Sequence, residues 1–337
     1  MVEVAVLGAS GHTGSRVVDA LKRRGADVRA LTRKDADASQ KASVRQAIQG
    51  ADAVVNLAGP FLRNGLAPVE AAIEARVPYV DTTGEQAFMA QVRERLHGAA
   101  QEARVPIVNA LAFEYAFGDL AAKRHFPKGG DALHVLYRPR STAPSAGTKK
   151  SMLRVFAAPT LSYEEGKLRS ISYGRYQKSF PTAEGPRSGA AFAGGEVLTV
   201  PRHTPFRTVR TYYQTKPSTA RAARVLGPLA RVALRGPVLR FADRRVDAKH
   251  QPPANAKARG EVHLVAEPSG EHIVIETPDP YVATAEIAAE GALRLVGAAR
   301  AGVLAPAEAF DAQEMFDAMR KTMPAFHVER FPSLSSK

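Results

Sequence analysis

The segment VEVAVLGASGHTGSRVVDALKRRG (residues 2–25) decides the fold. Its first six residues are an apolar run typical of a buried strand, and SRVVDALKRR has the apolar spacing of a helix. Gly8, Gly11 and Gly14 stand between the two. In a dinucleotide-binding turn, the first glycine allows the tight turn, the second lets backbone approach a pyrophosphate, and the third permits close helix–sheet packing. The segment therefore predicts a pyrophosphate at the start of this helix.

The residues between the glycines support the same interpretation. Free backbone N–H groups and the positive end of the helix favour an anion at this position. Ser10 and Thr13 would add hydroxyl donors beside the anion, and His12 is expected to pack within the same loop.

The end of the second strand, ALTRK (residues 30–34), indicates which nucleotide is bound. Enzymes that prefer NAD usually carry an acidic residue there, which accepts hydrogen bonds from the ribose 2′-hydroxyl. Here Arg33 and Lys34 follow Thr32, and the acids Asp35 and Asp37 come later. Two cations suit a 2′-phosphate, so the sequence favours NADPH. Alternatively, both are solvated surface charges.

Strand and helix patterns alternate through the first third of the chain, which predicts a Rossmann-like doubly wound parallel sheet. From about residue 131 β-branched and aromatic strand patterns follow one another, EVLTVPR (196–202) among them, and EVHLVAEPSGEHIVIET (261–277) predicts a hairpin. The fold class is thus α/β, with a second α+β domain built on an antiparallel sheet. We expect a nucleotide-binding domain over residues 1–120 and a substrate domain over residues 121–302. The C-terminal segment, from about residue 303 to 337, is expected to return to the nucleotide-binding domain. A helix is predicted from residue 281 to Gly302.

Composition narrows the function classes. The chain has 337 residues, 45% of them hydrophobic, and no cysteine, which excludes disulfides and thiolate metal sites. Its nine histidines show no clustered ligand spacing, so no metal is expected. Neither a signal peptide nor a membrane span is evident, which predicts a cytoplasmic protein.

The positive charge is concentrated in one segment. Of the net +14, residues 201–259 carry +12, from 14 Lys or Arg and two Asp. Short basic helices are predicted over 217–250. They suit an acidic acyl carrier protein or an anionic membrane surface, which would make the protein peripheral at a membrane, or they are simply a solvated face. Nucleic acid is not expected, because no recognised binding module accompanies the charge.

The stretch NLAGPFLRNGLAPVEAAIEARVPYVDTTGE (residues 56–85) resembles the saccharopine dehydrogenase-like superfamily of NADP-dependent oxidoreductases, and within it the trans-acting enoyl reductases. SAGTKKSM (145–152), YVATAEIAAEGALRL (281–295) and GVLAPAEAF (302–310) are similar to further segments of that family. The resemblance implies that Ala58, Gly59 and Pro60 lie along the ribose and nicotinamide of the cofactor.

The same resemblance implies that Asp81, Thr83, Gly84 and Glu85 turn beside the nicotinamide. Another interpretation of Asp81 and Glu85 is that they cap the helix after Gly84.

One segment departs from the family. LAFEYAFGDL (residues 111–120) stands where relatives usually read Cys-Gly-Phe-Asp-Ser-Ile-Pro-Ser-Asp-Leu. Glu114 and Tyr115 replace Asp and Ser, and they are the candidate catalytic residues. Tyr115 would act as a general acid after hydride transfer, or it would only pack against the ring.

These observations predict an NADPH-dependent reductase that transfers hydride to an activated double bond, in first place the C=C of an enoyl, lipidic or polyketide-type acyl group. Two alternatives remain open at this point: an imine reductase like the saccharopine branch, and a non-catalytic NADPH-sensing protein. A homodimer is also left open.

Overall fold

The structure, a computed structural model, describes residues 1–222, 225, 238, 241–242, 245–246, 255 and 257–331. These residues form two compact units, each with its own sheet. The first unit consists of Met1–Thr83, Ala87–Ala116 and Pro280–Pro324. The second consists of the described residues of Gly84–Gln86, Phe117–Asp279 and Ala325–Lys337.

The first unit is built on six parallel strands. They are β1 (Glu3–Leu7), β2 (Asp27–Leu31), β3 (Ala53–Asn56), β4 (Tyr79–Asp81), β5 (Pro106–Val108) and β14 (Gly302–Leu304). Their order is β2-β1-β3-β4-β5-β14. The chain leaves β1 toward β2 on one side and then crosses to β3 on the other, so the order reverses between β1 and β3. In open α/β sheets this is where ligands bind. The prediction of a doubly wound parallel sheet is confirmed.

Helices precede, connect and follow the strands of the first unit. They are α1 (His12–Arg23), α2 (Lys41–Ile48), α3 (Phe61–Asn64), α4 (Leu66–Ala75), α5 (Gln86–Glu102), α9 (Pro280–Leu295), α10 (Pro306–Ala309) and α11 (Ala312–Thr322). Val17 and Leu21 of α1 are fully buried, as its apolar spacing predicts. Arg24, just after α1, pairs with Glu286 (2.7 Å) and Glu290 (3.1 Å) of α9. Because of this packing, α9 lies in the first unit, although the sequence places the return only at about 303.

The second unit contains nine strands. They are β6 (Gly130–Arg140), β7 (Thr160–Glu164), β8 (Lys167–Ile171), β9 (Gln177–Phe180), β10 (Arg187–Ala191), β11 (Phe206–Gln214), β12 (Arg259–Glu267), β13 (His272–Thr277) and β15 (His327–Phe331). The path β15-β13-β12-β6-β11-β10-β9 is antiparallel except between β6 and β11, and β7 pairs with β8 and β11. The sheet is therefore mixed, and the antiparallel prediction is corrected at this pair. A parallel pair needs a long crossover, which the chain between β6 and β11 supplies.

The hairpin β12–β13 is confirmed, with His263 opposite Val274. Among the described residues, helices α6 (Phe113–His125), α7 (Ala146–Ala157) and α8 (Glu196–Thr199) belong to or enter this unit.

Two element predictions are wrong. EVLTVPR is not a strand but α8 followed by a 3₁₀ turn, Val200–Arg202. Short apolar runs carry no period that separates helix from strand. The helix predicted to reach Gly302 ends at Leu295, where Gly297 takes a left-handed conformation (φ 75°). Glycine in that conformation is a common helix stop.

Most of the predicted basic helices over 217–250 lie outside the described residues, and residues 217–222 are helical. Among the described residues, no helix has the length and hydropathy that a membrane crossing requires.

Candidate functional site

The glycine loop follows β1 and is shaped by two close backbone approaches. Gly8 has φ +77°, and its N–H donates to the carbonyl of Leu31 (3.0 Å). A Cβ on Gly8 would lie 3.0 Å from the carbonyl carbon of Leu57, at the end of β3. A Cβ on Gly14 would lie 2.1 Å from the carbonyl oxygen of Gly8. Both positions therefore require glycine, and α1 starts directly against the end of β1.

The middle of the loop is open. Ser10 and Gly11 are exposed, and His12 and Thr13 are half-buried. Gly11 caps α1 without a side-chain hydrogen bond, and the first turn of α1 contains no acidic residue. The positive end of α1 thus faces no carboxylate of its own first turn, which is the condition under which a helix start favours an anion.

His12 is anchored by its neighbours. Its carbonyl oxygen accepts a hydrogen bond from the Arg16 guanidinium (2.6 Å). Its ring lies edge-on to Tyr281, with 4.6 Å between the ring centroids. These contacts agree with the packing interpretation of His12.

The cations after β2 remain exposed. The Asp35 carboxylate accepts from the backbone N–H (2.8 Å) and hydroxyl (2.6 Å) of Thr32, and these bonds lower the pKa of that carboxyl. The side chains of Arg33 and Lys34 form no hydrogen bond within the described ranges, and the backbone N–H of Lys34 donates to the Thr32 hydroxyl (3.3 Å). The nearest acid in sequence is thus engaged in its own turn, while the two cations stay available to a ligand phosphate.

A buried carboxylate lies where β4 ends. Asp81 is 0% exposed. Its Oδ1 accepts from the N–H groups of Thr83 (3.1 Å) and Ala110 (2.9 Å). Its Oδ2 accepts from the Asn109 amide (2.7 Å) and the Tyr79 hydroxyl (3.1 Å). Burial nevertheless raises the pKa of Asp81 to about 6, because desolvation outweighs these four bonds.

The network continues to β3. The Asn56 amide donates to the Tyr79 hydroxyl oxygen (2.9 Å), and Asn56 Oδ1 accepts from the backbone N–H of Ala58 (2.9 Å). A hydrogen-bonded path thus runs from Ala58 to Asp81. Asn56, Tyr79 and Asn109 were not predicted as site residues from the sequence. The available signal was a polar residue closing an apolar strand, as in AVVN and PIVN.

The segment after β5 has unusual backbone geometry. Tyr115 has φ 82° and ψ −54°, Glu114 has ψ 142°, and both interrupt α6 near its start. A non-glycine residue in such a conformation costs on the order of 1–3 kcal/mol and persists only where its surroundings fix it. Tyr115 is 3% exposed. Glu114 is half-buried, and burial raises the pKa of its carboxyl.

Asp81 does not cap α5; its bonds to Thr83 and Ala110 fix two loops instead. Glu85 stands directly before α5 and accepts from the Ser151 hydroxyl (3.4 Å). Gly118 stands where relatives usually have serine, and the second unit gives a steric reason: a Cβ at this position would lie 2.2 Å from Oε1 of the buried Glu196.

Within the first unit, the predicted residues gather at one edge of the sheet. The carboxyl ends of parallel strands meet there, so the loops after β1, β2, β3, β4 and β5 are neighbours. Gly8 approaches the N–H of Ala58, and Gly59 and Pro60 follow directly in the chain. Thr83 is fully buried, and Gly84, next in the chain, is counted with the second unit. No group of three His, Asp or Glu residues that could hold a metal occurs in the part of the chain described.

The sequence of the first unit matches a known family model. Residues 4–77 match the NAD dependent epimerase/dehydratase family, which covers β1 to the loop before β4. This match includes the glycine loop and the exposed cations after β2.

Two curated relatives cover about half of the chain. A putative trans-acting enoyl reductase of Mycobacterium tuberculosis is 28% identical over 200 residues, which are 50% of this chain and 47% of that protein. A lipid droplet localized protein of Caenorhabditis elegans is 27% identical over 189 residues, 45% of this chain and 44% of that protein. The matched region thus spans about half the length of each relative.

A solved structure matches nearly the whole chain. Saccharopine dehydrogenase (L-Glu forming) from Saccharomyces cerevisiae superposes with a TM-score of 0.59 at 11% identity, covering 98% of this chain and 100% of that one. The fold is therefore that of saccharopine dehydrogenase. The resemblance predicted from the sequence is confirmed: the chain is similar in fold to saccharopine dehydrogenase and in sequence to trans-acting enoyl reductases and NAD-dependent enzymes.

Proposed function

We propose that this protein is an NADPH-dependent reductase that acts on an activated double bond. The glycine loop carries the proposal. Gly8 and Gly14 have no room for a Cβ, and Gly11 starts α1 without a side-chain cap. A pyrophosphate fits such a backbone cradle, at the point where the strand order reverses.

The choice of NADPH rests on Arg33 and Lys34. Both are exposed, and the neighbouring Asp35 is engaged with Thr32. A guanidinium forms strong charge-assisted hydrogen bonds with phosphate oxygens, so these side chains would hold the 2′-phosphate. Ala58, Gly59, Pro60, Thr83 and Gly84 would line the ribose and nicotinamide.

When bound, the nicotinamide supplies a hydride to the acceptor double bond. The chain must then orient the acceptor and supply a proton. Glu114 and Tyr115 are the candidates, because they follow β5 at the same edge of the sheet. Burial raises the pKa of the Glu114 carboxyl, which is the direction of shift that suits a general acid.

We assign the substrate to the enoyl class, supported by the sequence similarity to trans-acting enoyl reductases.

Residues 201–259, with their charge of +12, would bring the protein to an anionic lipid surface or to an acidic acyl carrier. Val225, Val238 and Phe241 are 71%, 52% and 59% exposed, and such apolar side chains among cations favour the lipid surface. The similarity to a lipid droplet localized protein supports the same choice. Sedimentation with anionic and with neutral vesicles tests this: binding to both equally, or to neither, argues against it.

The reaction is tested by offering the chain NADPH with a panel of enoyl thioesters, ketones and imines. We expect NADPH consumption with an enoyl thioester, and Glu114→Gln and Tyr115→Phe identify the proton donor by the larger loss of kcat. Consumption with imines alone would assign the saccharopine-type reaction instead. Tight NADPH binding without consumption on any acceptor would indicate a sensing protein.

A further inference from the structure

We propose that Asp81 is a positioning residue that holds the backbone segments after β3, β4 and β5 in the arrangement that receives the nicotinamide half of the cofactor. The proposal rests on the proposed function. Asp81 is fully buried, so its carboxylate acts on a ligand only through the groups it binds.

Three loops depend on this one side chain. Thr83 belongs to the loop after β4, and Ala110 to the loop after β5. Through Tyr79 and Asn56, Asp81 also reaches the N–H of Ala58 in the loop after β3. The glycine loop and the cations after β2 are not among the partners of Asp81. The network therefore serves the nicotinamide side and leaves the adenosine side to other residues.

The network fits an ionised carboxylate. All four partners of Asp81 donate hydrogen bonds, and a carboxylate only accepts. Asn109 turns its amide N–H toward Asp81 although its own buried Oδ1 then has no donor among the described residues. Reversing that amide would place two acceptors together unless Asp81 carried a proton.

The charge of Asp81 is costly to bury. Desolvation raises the pKa of this carboxyl, which means that the folded state bears a cost for its charge. An amide of equal shape would avoid this cost but would leave Asn109 and Tyr79 without an acceptor. The carboxylate is therefore suited to holding several donors in fixed positions rather than to stabilising the unit.

The decisive variant is Asp81→Asn, which keeps the shape of the side chain. Its amide retains one oxygen for Thr83 and Ala110 but faces N–H groups toward Asn109 and Tyr79, which weakens the links to the loops after β5 and β3. We expect the Kd for NADPH to rise about tenfold, because two charge-assisted bonds are lost. Adenosine 2′,5′-bisphosphate, which lacks the nicotinamide half, should bind unchanged. The thermal unfolding midpoint above neutral pH reports the balance between the buried charge that is removed and the two donors that lose their acceptor, and the inference does not depend on its sign.

Two further variants complete the test. Tyr79→Phe removes only the link between Asp81 and Asn56 and should weaken NADPH in the same selective way. Glu286→Gln is the matched control, since this buried carboxylate of the same unit pairs with Arg24, outside the network. It should lower the unfolding midpoint and leave the affinity ratio of the two ligands unchanged.

The inference is overturned if Asp81→Asn binds both ligands as the wild type does, or loses both equally together with stability. If the wild-type chain itself binds neither ligand, the proposed function fails first, and that result is distinct from either outcome.

Discussion

At the scale of single residues, the candidate site divides into a half governed by exposed cations and a half governed by a buried anion. In the proposed binding mode, the exposed Arg33 and Lys34 would lie at the adenosine end of the cofactor, and the buried Asp81 would lie beneath its nicotinamide end. The cations were predictable from the sequence because their place after the second strand has a known meaning. The partners of Asp81 were not, because Ala110 and Asn109 lie almost thirty residues away and only the register of β4 and β5 brings them to it.

Arg33→Asp tests the adenosine end. The substitution replaces an attraction for the 2′-phosphate by a repulsion, so NADPH affinity should fall by about 10- to 100-fold. NADH lacks that phosphate and serves as the internal control, with a change of less than about threefold. Equal losses for the two cofactors would contradict the assignment of NADPH. Fluorescence titration with both cofactors measures the ratio.

The buried anion gives a pH-dependent stability. Because the pKa of Asp81 in the folded protein is about 6, above its ordinary 3.8, the folded state binds this proton more tightly than the unfolded state does. Its contribution to the free energy of unfolding is therefore fully present below about pH 4 and is lost as the pH rises through about 6. Asn does not titrate, so the free energy of unfolding of Asp81→Asn relative to the wild type should rise by on the order of 3 kcal/mol as the pH increases from about 4 to above 6. Chemical denaturation at several pH values measures the gain, and a difference that does not change with pH would contradict it.

At the scale of elements, patterns with a clear period were predicted well. The amphipathic helices α1 and α5 and the hairpin β12–β13 agree with the sequence analysis. The wrong predictions concern segments that are too short to show a periodicity, or segments whose structure depends on packing against residues distant in the sequence. EVLTVPR is too short to separate helix from strand, and Glu196 within it is buried and bonded to the Tyr137 hydroxyl. The interruption of α6 at Tyr115 has no local signal, because tertiary contacts must hold a conformation that the residue alone disfavours.

Gly14→Ala tests the contact between α1 and β1. The added Cβ would lie 2.1 Å from the carbonyl oxygen of Gly8. This clash can be relieved only if α1 moves away from the end of β1. We expect a loss of about 1–3 kcal/mol in the free energy of unfolding and weaker binding of NADPH and NADH alike. Gly98→Ala in α5 is the matched control, since its Cβ would meet no atom within 4 Å. The control should gain about 0.5–1 kcal/mol from helix propensity. Equal effects of the two substitutions would contradict the role of the close approach.

At the scale of the whole molecule, the fold class followed from the alternation of strands and helices, and the structural similarity to saccharopine dehydrogenase agrees with it. The position of α9 in the first unit was not predicted, because it depends on contacts between residues far apart in the sequence, such as the ion pairs of Arg24 and the ring contact between His12 and Tyr281. The parallel pair β6–β11 was also missed, since sequence patterns do not say which distant strands become neighbours. The roles of the nucleotide-binding residues remain predictions that a ligand must test.

The central claim is that the backbone after β1 holds the pyrophosphate of a nicotinamide dinucleotide. Isothermal titration of the intact chain with NADPH tests it most directly. We predict saturable binding of one NADPH per chain with a Kd below about 1 mM, the upper end of the usual range of enzyme KM values. Absence of binding by both NADPH and NADH at that concentration would contradict the account.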